Sequence, residues 1–391
     1  MWKEEFKLYK LKDVTKLKNG YAFKSNQFTE NEVPIIRINN LQNNKVIIDK
    51  KICYPNEFLE NNKQYEVKMN DILISMSGSI GKISRYLYTE PSLLNQRVGK
   101  FEITEVNKLD REYLFYFLRS DEFQRAVIKD ANGCVVSNIS AKNISDCSIP
   151  VPSLEAQKKI VKVLKKAEDA VEKRKQVINL LDELVKSKFI EMFGDLNSNS
   201  KGWNILNFNE FAVIDTNMIK DFEKYADYPH IGIDSIEKNT GNILEYQLVK
   251  DSSLKSGKYL FDERHIIYSK IRPNLNKVAL PQFKGVCSAD AYPILCLDGI
   301  VDRSYLGYVL RSEFFLSYIL AFSGRTNIPK VNKEQLRGFN MPTPPIELQN
   351  QFADFVKQVD KLKFEMEKSL KELENNFNSL IQKAFNGKLL D

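Results

Sequence analysis

The stretch EYLFYFLRSDEFQ, residues 112–124, returns as SYLGYVLRSEFFL at residues 304–316, with seven of thirteen positions identical at an offset of 192. Tyr, Leu and Phe are common in packed helices, so one such match could be coincidence. The offset continues, however, because IPVPSLEAQ (149–157) aligns with the end of NMPTPPIELQ (340–349) and Phe193 aligns with Phe385. With short gaps, the likeness extends upstream from PIIRINNLQ (34–42) to YPHIGIDSI (228–236), and from ILISMSGSIGKI (72–83) to IIYSKIRPNLNKV (266–278). The pattern predicts an internal duplication of roughly two hundred residues.

Composition indicates a globular chain. Its 391 residues suggest two or three domains, and 43 % hydrophobic residues suffice for a core in each. The net charge of +7 leans only mildly toward a polyanionic partner. The charged N-terminus and the lack of a long apolar run predict a cytoplasmic protein with no membrane span. The five cysteines have no CxxC pair and are predicted to be buried thiols.

Each half is predicted to hold a β-rich α/β (α+β) domain followed by one long helix. The runs VPIIRI, KVIID, DILISM and GKISRYLY have strand character, and a single helix is predicted over 112–128. The predicted organisation is a first domain over 1–150, a central helical region over 151–198, a second domain over 199–343 and a C-terminal helical region over 344–391.

The long helices show a coiled-coil repeat. Ser153 is a candidate N-cap, and 154–193 contains no Pro or Gly, which predicts a helix of about forty residues, or roughly 60 Å. Steps of four and three residues select positions of which eight of ten are apolar in the first copy and nine of ten in the second. The apolar positions predicted to pair the helices include Ile160, Leu164, Val171, Ile178, Leu181, Val185, Phe352, Val356, Val359, Leu370, Leu373 and Phe377.

Each helix could instead pack only on its own domain, but a domain of this size is about 35–40 Å across, shorter than the helix. Because the first helix delivers the chain to the second domain, we expect the second helix to run back antiparallel. The result is a pseudo-twofold arrangement of two similar domains separated by an antiparallel coiled coil.

Taken together, these motifs resemble the specificity subunit of type I restriction-modification systems. The resemblance covers essentially the whole chain and rests on WKEEFKLYKLKDVTKLKNGYAFKSNQF, DILISMSGSIGK, YLFYFLRS and the IPVPSLEAQ helix entry. It implies two target-recognition domains, each reading one half of a split DNA sequence, with helical spacers between them. The second copy lacks a clear GYAFKS counterpart and replaces GSIGK by RPNLNK. Those departures fit two domains that read different sequences.

The residues do not favour catalysis by this chain. Thr343-Pro344-Pro345-Ile346 lacks the polar first and aromatic last residue of an amino-methyltransferase motif, and GSIGKIS does not fit a phosphate loop. The two histidines, His230 and His265, have no metal-ligand spacing and are interpreted as structural.

DNA binding needs cations for phosphates and forked side chains for base edges. In the first domain the Gly/Ser-rich turn and its surroundings supply the candidates, although a hairpin turn with a solvated lysine is the alternative. The first-domain candidates are Ser77, Ser79, Lys82, Arg85 and Arg97. In the second domain they are Lys270, Arg272, Asn274, Asn276, Lys277, Arg325 and Lys330.

The predicted function is that of a non-catalytic DNA specificity subunit. The resemblance implies double-stranded DNA, two modification (methyltransferase) subunits and restriction (translocase-nuclease) subunits as partners. S-adenosylmethionine, ATP and Mg²⁺ are then expected on the partners, with no cofactor or metal on this chain. Two alternatives stay open: a specificity chain of another restriction-modification class with its own catalytic activity, and a structural coiled-coil protein.

Overall fold

The computed structural model describes residues 6–42, 44–131, 138–322 and 330–389. Its contacts divide the chain into two compact units. Unit 1 comprises Met1–Lys175 with Lys368–Asp391, and unit 2 comprises Gln176–Glu367. The division falls inside the two long helices, whereas the boundaries predicted from sequence lie at their ends and stay predictions.

The first half of the chain is rich in short strands and ends in a long helix. Its strands are β1 (Lys7–Lys10), β2 (Thr15–Asn19), β3 (Val33–Ile36), β4 (Leu41–Gln42), β5 (Lys45–Val46), β6 (Cys53–Tyr54), β7 (Glu66–Val67), β8 (Ile72–Ser75), β9 (Ile83–Arg85), β10 (Ser92–Leu94), β11 (Val98–Ile103) and β12 (Ser148–Val151). Its helices are α1 (Leu11–Val14), α2 (Asn56–Asn61), α3 (Arg111–Phe117), α4 (Asp121–Ala131), α5 (Ala141–Ser145) and α6 (Leu154–Phe193).

The second half repeats this order. Its strands are β13 (Asn204–Asn207), β14 (Ala212–Ile214), β15 (Met218–Ile219), β16 (Pro229–Ile231), β17 (Gln247–Leu248), β18 (Lys258–Phe261), β19 (His265–Ser269), β20 (Val278–Ala279), β21 (Gly285–Cys287), β22 (Ala291–Cys296) and β23 (Asn340–Thr343). Its helices are α7 (Phe208–Phe211), α8 (Arg303–Arg311), α9 (Glu313–Leu320), α10 (Lys333–Arg337) and α11 (Ile346–Phe385).

The sheets confirm the duplication. One sheet contains the order β2-β11-β8-β9 in unit 1 and β14-β22-β19-β20 in unit 2. A second sheet contains β3-β10-β7 in unit 1 and β16-β21-β18 in unit 2, and in each the first two strands are parallel. The strands β3, β8 and β19 are buried throughout.

The predicted single helix over 112–128 is wrong. The chain forms α3 and α4 with a break at residues 118–120, and the second copy breaks at Ser312 between α8 and α9. Ser120 starts α4, because its carbonyl accepts from the Gln124 N–H at 3.0 Å and its Oγ from the Phe123 N–H at 3.4 Å. A serine followed by an acidic residue is a helix-start signal, and it competes successfully with the continuous apolar pattern.

A buried glutamine at the start of each long helix ties that helix to its domain. Gln157 and Gln349 are fully buried. The Gln157 Oε1 accepts from the Asp110 N–H at 2.8 Å, and its Nε2 donates to the carbonyls of Lys108 at 2.6 Å and Pro152 at 2.9 Å. Gln349 makes the three equivalent bonds, each at an offset of 192, at 2.9, 3.2 and 2.7 Å. The same bond set therefore fixes both helix entries.

The long helices pair antiparallel within each unit, as predicted. In unit 1 the first part of α6 packs on the last part of α11, and in unit 2 the last part of α6 packs on the first part of α11. Phe385 contacts Tyr113 with ring centroids 5.1 Å apart, and Phe193 contacts Tyr305 at 4.8 Å. The helix of each copy thus ends on the domain of the other copy.

Of the side chains named for helix pairing, Ile160, Leu164, Val171, Leu370, Leu373 and Phe377 belong to the hydrophobic cluster of unit 1, and Val185, Phe352 and Val356 belong to that of unit 2; pairing by the other named side chains stays a prediction. Among them, Ile160, Leu164, Val171, Phe352, Val359 and Phe377 are buried, and Ile178, Leu181, Val185, Val356, Leu370 and Leu373 are partly buried. The charged positions of the same pattern are also partly buried. Lys363 makes an ion pair with Asp182 at 2.6 Å, which satisfies its charge. Outside the pattern, Lys175 and Glu374 form a further inter-helix ion pair at 2.7 Å.

Candidate nucleic-acid interface

Two turns, β8–β9 and β19–β20, occupy equivalent places in the two domains. The Ser75 N–H donates to the Lys82 carbonyl at 3.0 Å, and the Ser269 N–H donates to the Lys277 carbonyl at 3.0 Å. These bonds close the two turns in the same way, so Lys82 and Lys277 are equivalent. The structure thus aligns GSIGK with RPNLNK, as the sequence does.

A second segment lies beside each turn. The Met76 N–H donates to the Arg97 carbonyl, and the Lys270 N–H donates to the Asp290 carbonyl, both at 3.0 Å. Met76 is therefore equivalent to Lys270, and Arg97 is equivalent to Asp290. The two domains place opposite charges at the second of these positions.

A third segment follows the parallel strands β3 and β16. The Asn95 N–H donates to the Ile36 carbonyl at 3.1 Å, and the Ser288 N–H donates to the Ile231 carbonyl at 3.0 Å. The next residues, Arg37 and Gly232, are therefore equivalent, one position away from the sequence alignment. We call the three segments together the strand-end surface, which comprises 37, 76–82 and 95–97 in the first domain and 232, 270–277 and 288–290 in the second.

The turns keep the same backbone conformation with different residues. Gly78 and Gly81 have φ of 66° and 81°, and their counterparts Arg272 and Asn276 both have φ of 49°. A side chain in this left-handed region costs roughly 1–2 kcal/mol. Asn276 compensates through a buried bond, because its Nδ2 donates to the Arg311 carbonyl at 2.8 Å. Arg272 is exposed, and no hydrogen bond or ion pair of its side chain occurs within the described residues.

The first-domain candidates divide into exposed and engaged side chains. Ser79, Lys82 and Arg97 are exposed on the strand-end surface. Ser77 is buried, and its Oγ has no partner among the described residues. Arg85 donates to Glu112 at 2.7 Å, and its guanidinium lies 4.2 Å from the centre of the Phe115 ring. The structure therefore brings together Ser79, Lys82 and Arg97, and it holds Arg85 in a contact with α3.

In the second domain, most candidates surround the β19–β20 turn. Lys277 donates to the Ile233 carbonyl at 2.8 Å, which fixes it to the strand-end surface, whereas Asn274 is exposed. Lys330 is paired with Ile271 by backbone bridging, which places it beside the turn. Arg325 lies outside the described residues.

Positive charge is concentrated beside this second turn. Lys270 lies 5.2 Å from the centre of the Tyr292 ring, and burial lowers the pKa of its amine. Lys330 and Lys333 lower that pKa further, whereas Asp290, which lies 3.5 Å from Lys330, acts in the opposite direction. Cations held close to one another favour a polyanionic ligand.

Sequence reasoning missed Lys333 and Arg37. Lys333 begins α10 and lies close enough to Thr216 for its Nζ to donate to the hydroxyl at 3.4 Å. Its signal was its position three residues after Lys330. Arg37 directly follows the buried run of β3, and an arginine at the end of such a run was the available signal.

Within the described ranges, no group of three His, Cys, Asp or Glu side chains could hold a metal ion. Burial lowers the pKa of the His230 imidazole, and Lys258 lowers it further. His265 is buried between Asp262 and Asp215, with nitrogen–oxygen distances of 2.9 and 3.2 Å. In the same part of the chain, no helix is long and apolar enough to cross a membrane.

Comparison with known proteins gives one family. The family model described as "Type I restriction modification DNA specificity domain" matches residues 3–182 and again 200–375. The chain is 26 % identical over 339 residues to the type I restriction enzyme EcoDI specificity subunit of Escherichia coli, covering 76 % of this chain and 75 % of that protein. It is 23 % identical over 412 residues to the putative MjaX specificity subunit of Methanocaldococcus jannaschii, covering 99 % and 94 %.

Solved structures show the same fold. The S subunit of the type I restriction-modification system from M. genitalium matches with a TM-score of 0.57 at 14 % identity, covering 98 % of this chain and 96 % of that one. A chain from a study of complex assembly in a type I system matches with a TM-score of 0.52 at 15 % identity over the full length of both. The double family match and the duplicated fold agree, and the chain therefore belongs to the type I restriction-modification DNA specificity family, as the non-catalytic specificity subunit of such a complex.

Proposed function

We propose that the chain recognises a split, asymmetric DNA sequence, with one domain reading each half. The observation that carries the proposal is that the two domains share the same backbone hydrogen bonds at the strand-end surface but carry different residues there. The hydrogen bonds that shape the strand-end surface recur in both domains, while its exposed side chains differ. Arg97 of the first domain corresponds to Asp290 of the second, and Gly78 corresponds to Arg272. Two domains with one frame and different contact residues are suited to read different base sequences.

In the second domain, Arg272 is the proposed base-reading residue. Its left-handed backbone is costly, and no contact of its own side chain within the described residues offsets that cost. Such strain commonly occurs where function requires a particular side-chain position. Lys270, Lys330 and Lys333 would supply phosphate contacts, because a bound polyanion relieves the repulsion among these cations. Arg325 and Asn274 remain proposed contacts.

In the first domain, Lys82 and Arg97 are the proposed cationic contacts and Ser79 a neutral one. All three are exposed on the same surface. Ser77 is less suited because it is buried, and Arg85 is less suited because its guanidinium is held by Glu112. Asn276 and Lys277 act through the shape of the second turn, since both bond to backbone carbonyls.

The partner assignments also belong to the proposal. The specificity subunit would assemble with two modification subunits and with restriction subunits around double-stranded DNA. S-adenosylmethionine, ATP and Mg²⁺ would be bound by those partners. The cytoplasm is the proposed place of action, because a restriction-modification complex meets its DNA there. The paired helices α6 and α11 would set the gap between the two half-sites.

The test is Arg272→Ala in the assembled complex, with methylated sites mapped at base resolution. We expect relaxed selection of the second half-site and unchanged selection of the first. Arg264→Ala is the matched control, because Arg264 is an exposed arginine of the same domain whose guanidinium pairs with Asp262 at 2.6 Å. A change in the first half-site caused by Arg272→Ala would contradict one domain per half-site.

A further inference from the structure

Arg37 has a backbone that is fixed from two sides. Its N–H donates to Asn40 Oδ1 at 2.8 Å, and its carbonyl accepts from the Asn40 N–H at 2.9 Å. Asn40 is itself buried, and its Nδ2 donates to the Ile47 carbonyl at 2.7 Å. The start of the Arg37 side chain is therefore held in one place, at the end of the buried strand β3.

The guanidinium of Arg37 has no partner within the described residues. Its Nε is buried and makes no hydrogen bond, and no ion pair of this side chain occurs there. By contrast, Arg85 and Arg119 of the same domain each contact a carboxylate at 2.7 Å. Leaving the buried Nε without an acceptor is costly, and the rest of the guanidinium is not engaged by any described residue and is free to bind a ligand.

The neighbours of Arg37 place it within the proposed DNA surface. The parallel pairing of β3 with β10 brings their carboxyl ends side by side, so Arg37 lies next to Asn95. Tyr21 bridges to Asn95 from the other side, and Arg97 follows two residues later. Asn95 thus lies between Arg37 and Tyr21, and the chain continues from it to the exposed Arg97 on the same edge.

Resting on the proposed function, we propose that Arg37 determines specificity for the first half-site by reading a guanine through its forked guanidinium. A bidentate pair with guanine O6 and N7 satisfies donors that the protein leaves unused. A fixed, partly buried stem suits a base edge, whereas an exposed lysine such as Lys82 suits a phosphate. The second domain lacks this contact, because Gly232 occupies the equivalent position.

The experiment compares Arg37→Ala, Arg37→Lys and Arg37→Met in the full complex, with methylation mapped at base resolution. For all three we expect discrimination at one guanine of the first half-site to fall on the order of ten-fold, because none of the three side chains has a forked guanidinium. Lysine keeps the positive charge but cannot make the bidentate pair. The second half-site should be unchanged. Arg125→Ala is the charge-matched control, since Arg125 is an exposed arginine on α4 that lies 3.8 Å from Asp121.

Several outcomes would overturn the inference. If Arg37→Lys kept full discrimination and Arg37→Ala weakened all sites equally, the contact would be to phosphate. If Arg37→Met greatly lowered thermal stability, the residue would be structural. If the Arg37 variants left the first half-site intact while Arg97→Ala altered it, Arg37 would be excluded and the proposed function would stand. A changed second half-site would instead contradict one domain per half-site.

Discussion

The buried glutamines at the starts of α6 and α11 allow a quantitative prediction. Replacing Gln157 by methionine keeps the length and approximate volume of the side chain but removes three hydrogen bonds. The Asp110 N–H and the carbonyls of Lys108 and Pro152 lose their partner. Asp110 is also the N-cap of α3, where its carboxylate accepts from Glu112 and Tyr113. The substitution should therefore loosen both the start of α6 and the start of α3.

The expected cost is about 2–3 kcal/mol in unit 1. A net contribution of about 1 kcal/mol for each of three hydrogen bonds gives the upper figure. The Lys108 carbonyl belongs to an exposed residue, and water can replace the lost bond there, which gives the lower figure. The Pro152 carbonyl is buried and carries the full penalty.

Hydrogen exchange measured by mass spectrometry is the suitable assay, because a chain of two units need not unfold in one step. A loss of 2–3 kcal/mol predicts roughly 30- to 150-fold faster exchange in peptides of α3 and the start of α6. Gln349→Met should do the same to α8 and the start of α11, where the equivalent bonds occur.

Lys158→Met is the matched control, because it introduces the same residue at an exposed neighbouring position. If Gln157→Met changed exchange no more than this control, the hydrogen bonds would contribute nothing net. If it accelerated α8 as strongly as α3, the glutamine would not be specific to its own unit.

Three other predictions follow from the helices and from one carboxylate. Inserting seven residues in phase after Lys175 and after Glu367 should lengthen the gap between half-sites by about three base pairs, since it adds roughly 10 Å of helix; an unchanged gap in mapped sites would refute the spacer role. The fragment 1–198 should dimerise weakly through its long helix, and Arg174→Leu should strengthen it by removing a like-charge repulsion of about 1 kcal/mol; sedimentation that shows monomers for both would refute the pairing. Hydrogen bonds from Arg264 hold the pKa of Asp262 below its usual range. The folded carboxylate therefore stays ionised where the unfolded one takes up a proton, so stability should fall as the pH drops below about 4, and Asp262→Asn should show a smaller fall in acid-denaturation curves.

Much of the fold could be predicted from two features of the sequence, which are the internal repeat at an offset of 192 residues and the apolar repeat of the long helices. The offset of 192 places α6 over α11 at both ends, and the apolar repeat selects positions that are all at least partly buried. The helix over 112–128 was mispredicted because the apolar pattern continues across Ser120, although Ser120 starts a new helix there.

The surface was harder to predict, because its alignment depends on strand pairing. The sequence alignment makes Arg37 equivalent to Ile231, whereas the pairing of the parallel strands makes it equivalent to Gly232. A shift of one residue changes which side chains are compared. Arg85 and Asn276 were chosen for their chemistry, but their partners Glu112 and Arg311 are distant in sequence and visible only in the fold.

The exchange of helix ends explains why the two domains can differ on one surface and agree elsewhere. Phe385 of the second copy packs on Tyr113, and Phe193 of the first copy packs on Tyr305, so each core depends on a helix from the other copy. Each tyrosine hydroxyl also donates to a proline carbonyl at the helix entry, at 2.7 and 2.9 Å. A change in these residues would affect both the core and the helix pairing. Arg37, Arg97 and Arg272 make no such contacts within the described residues, so we expect substitutions there to alter the proposed DNA reading without destabilising either unit.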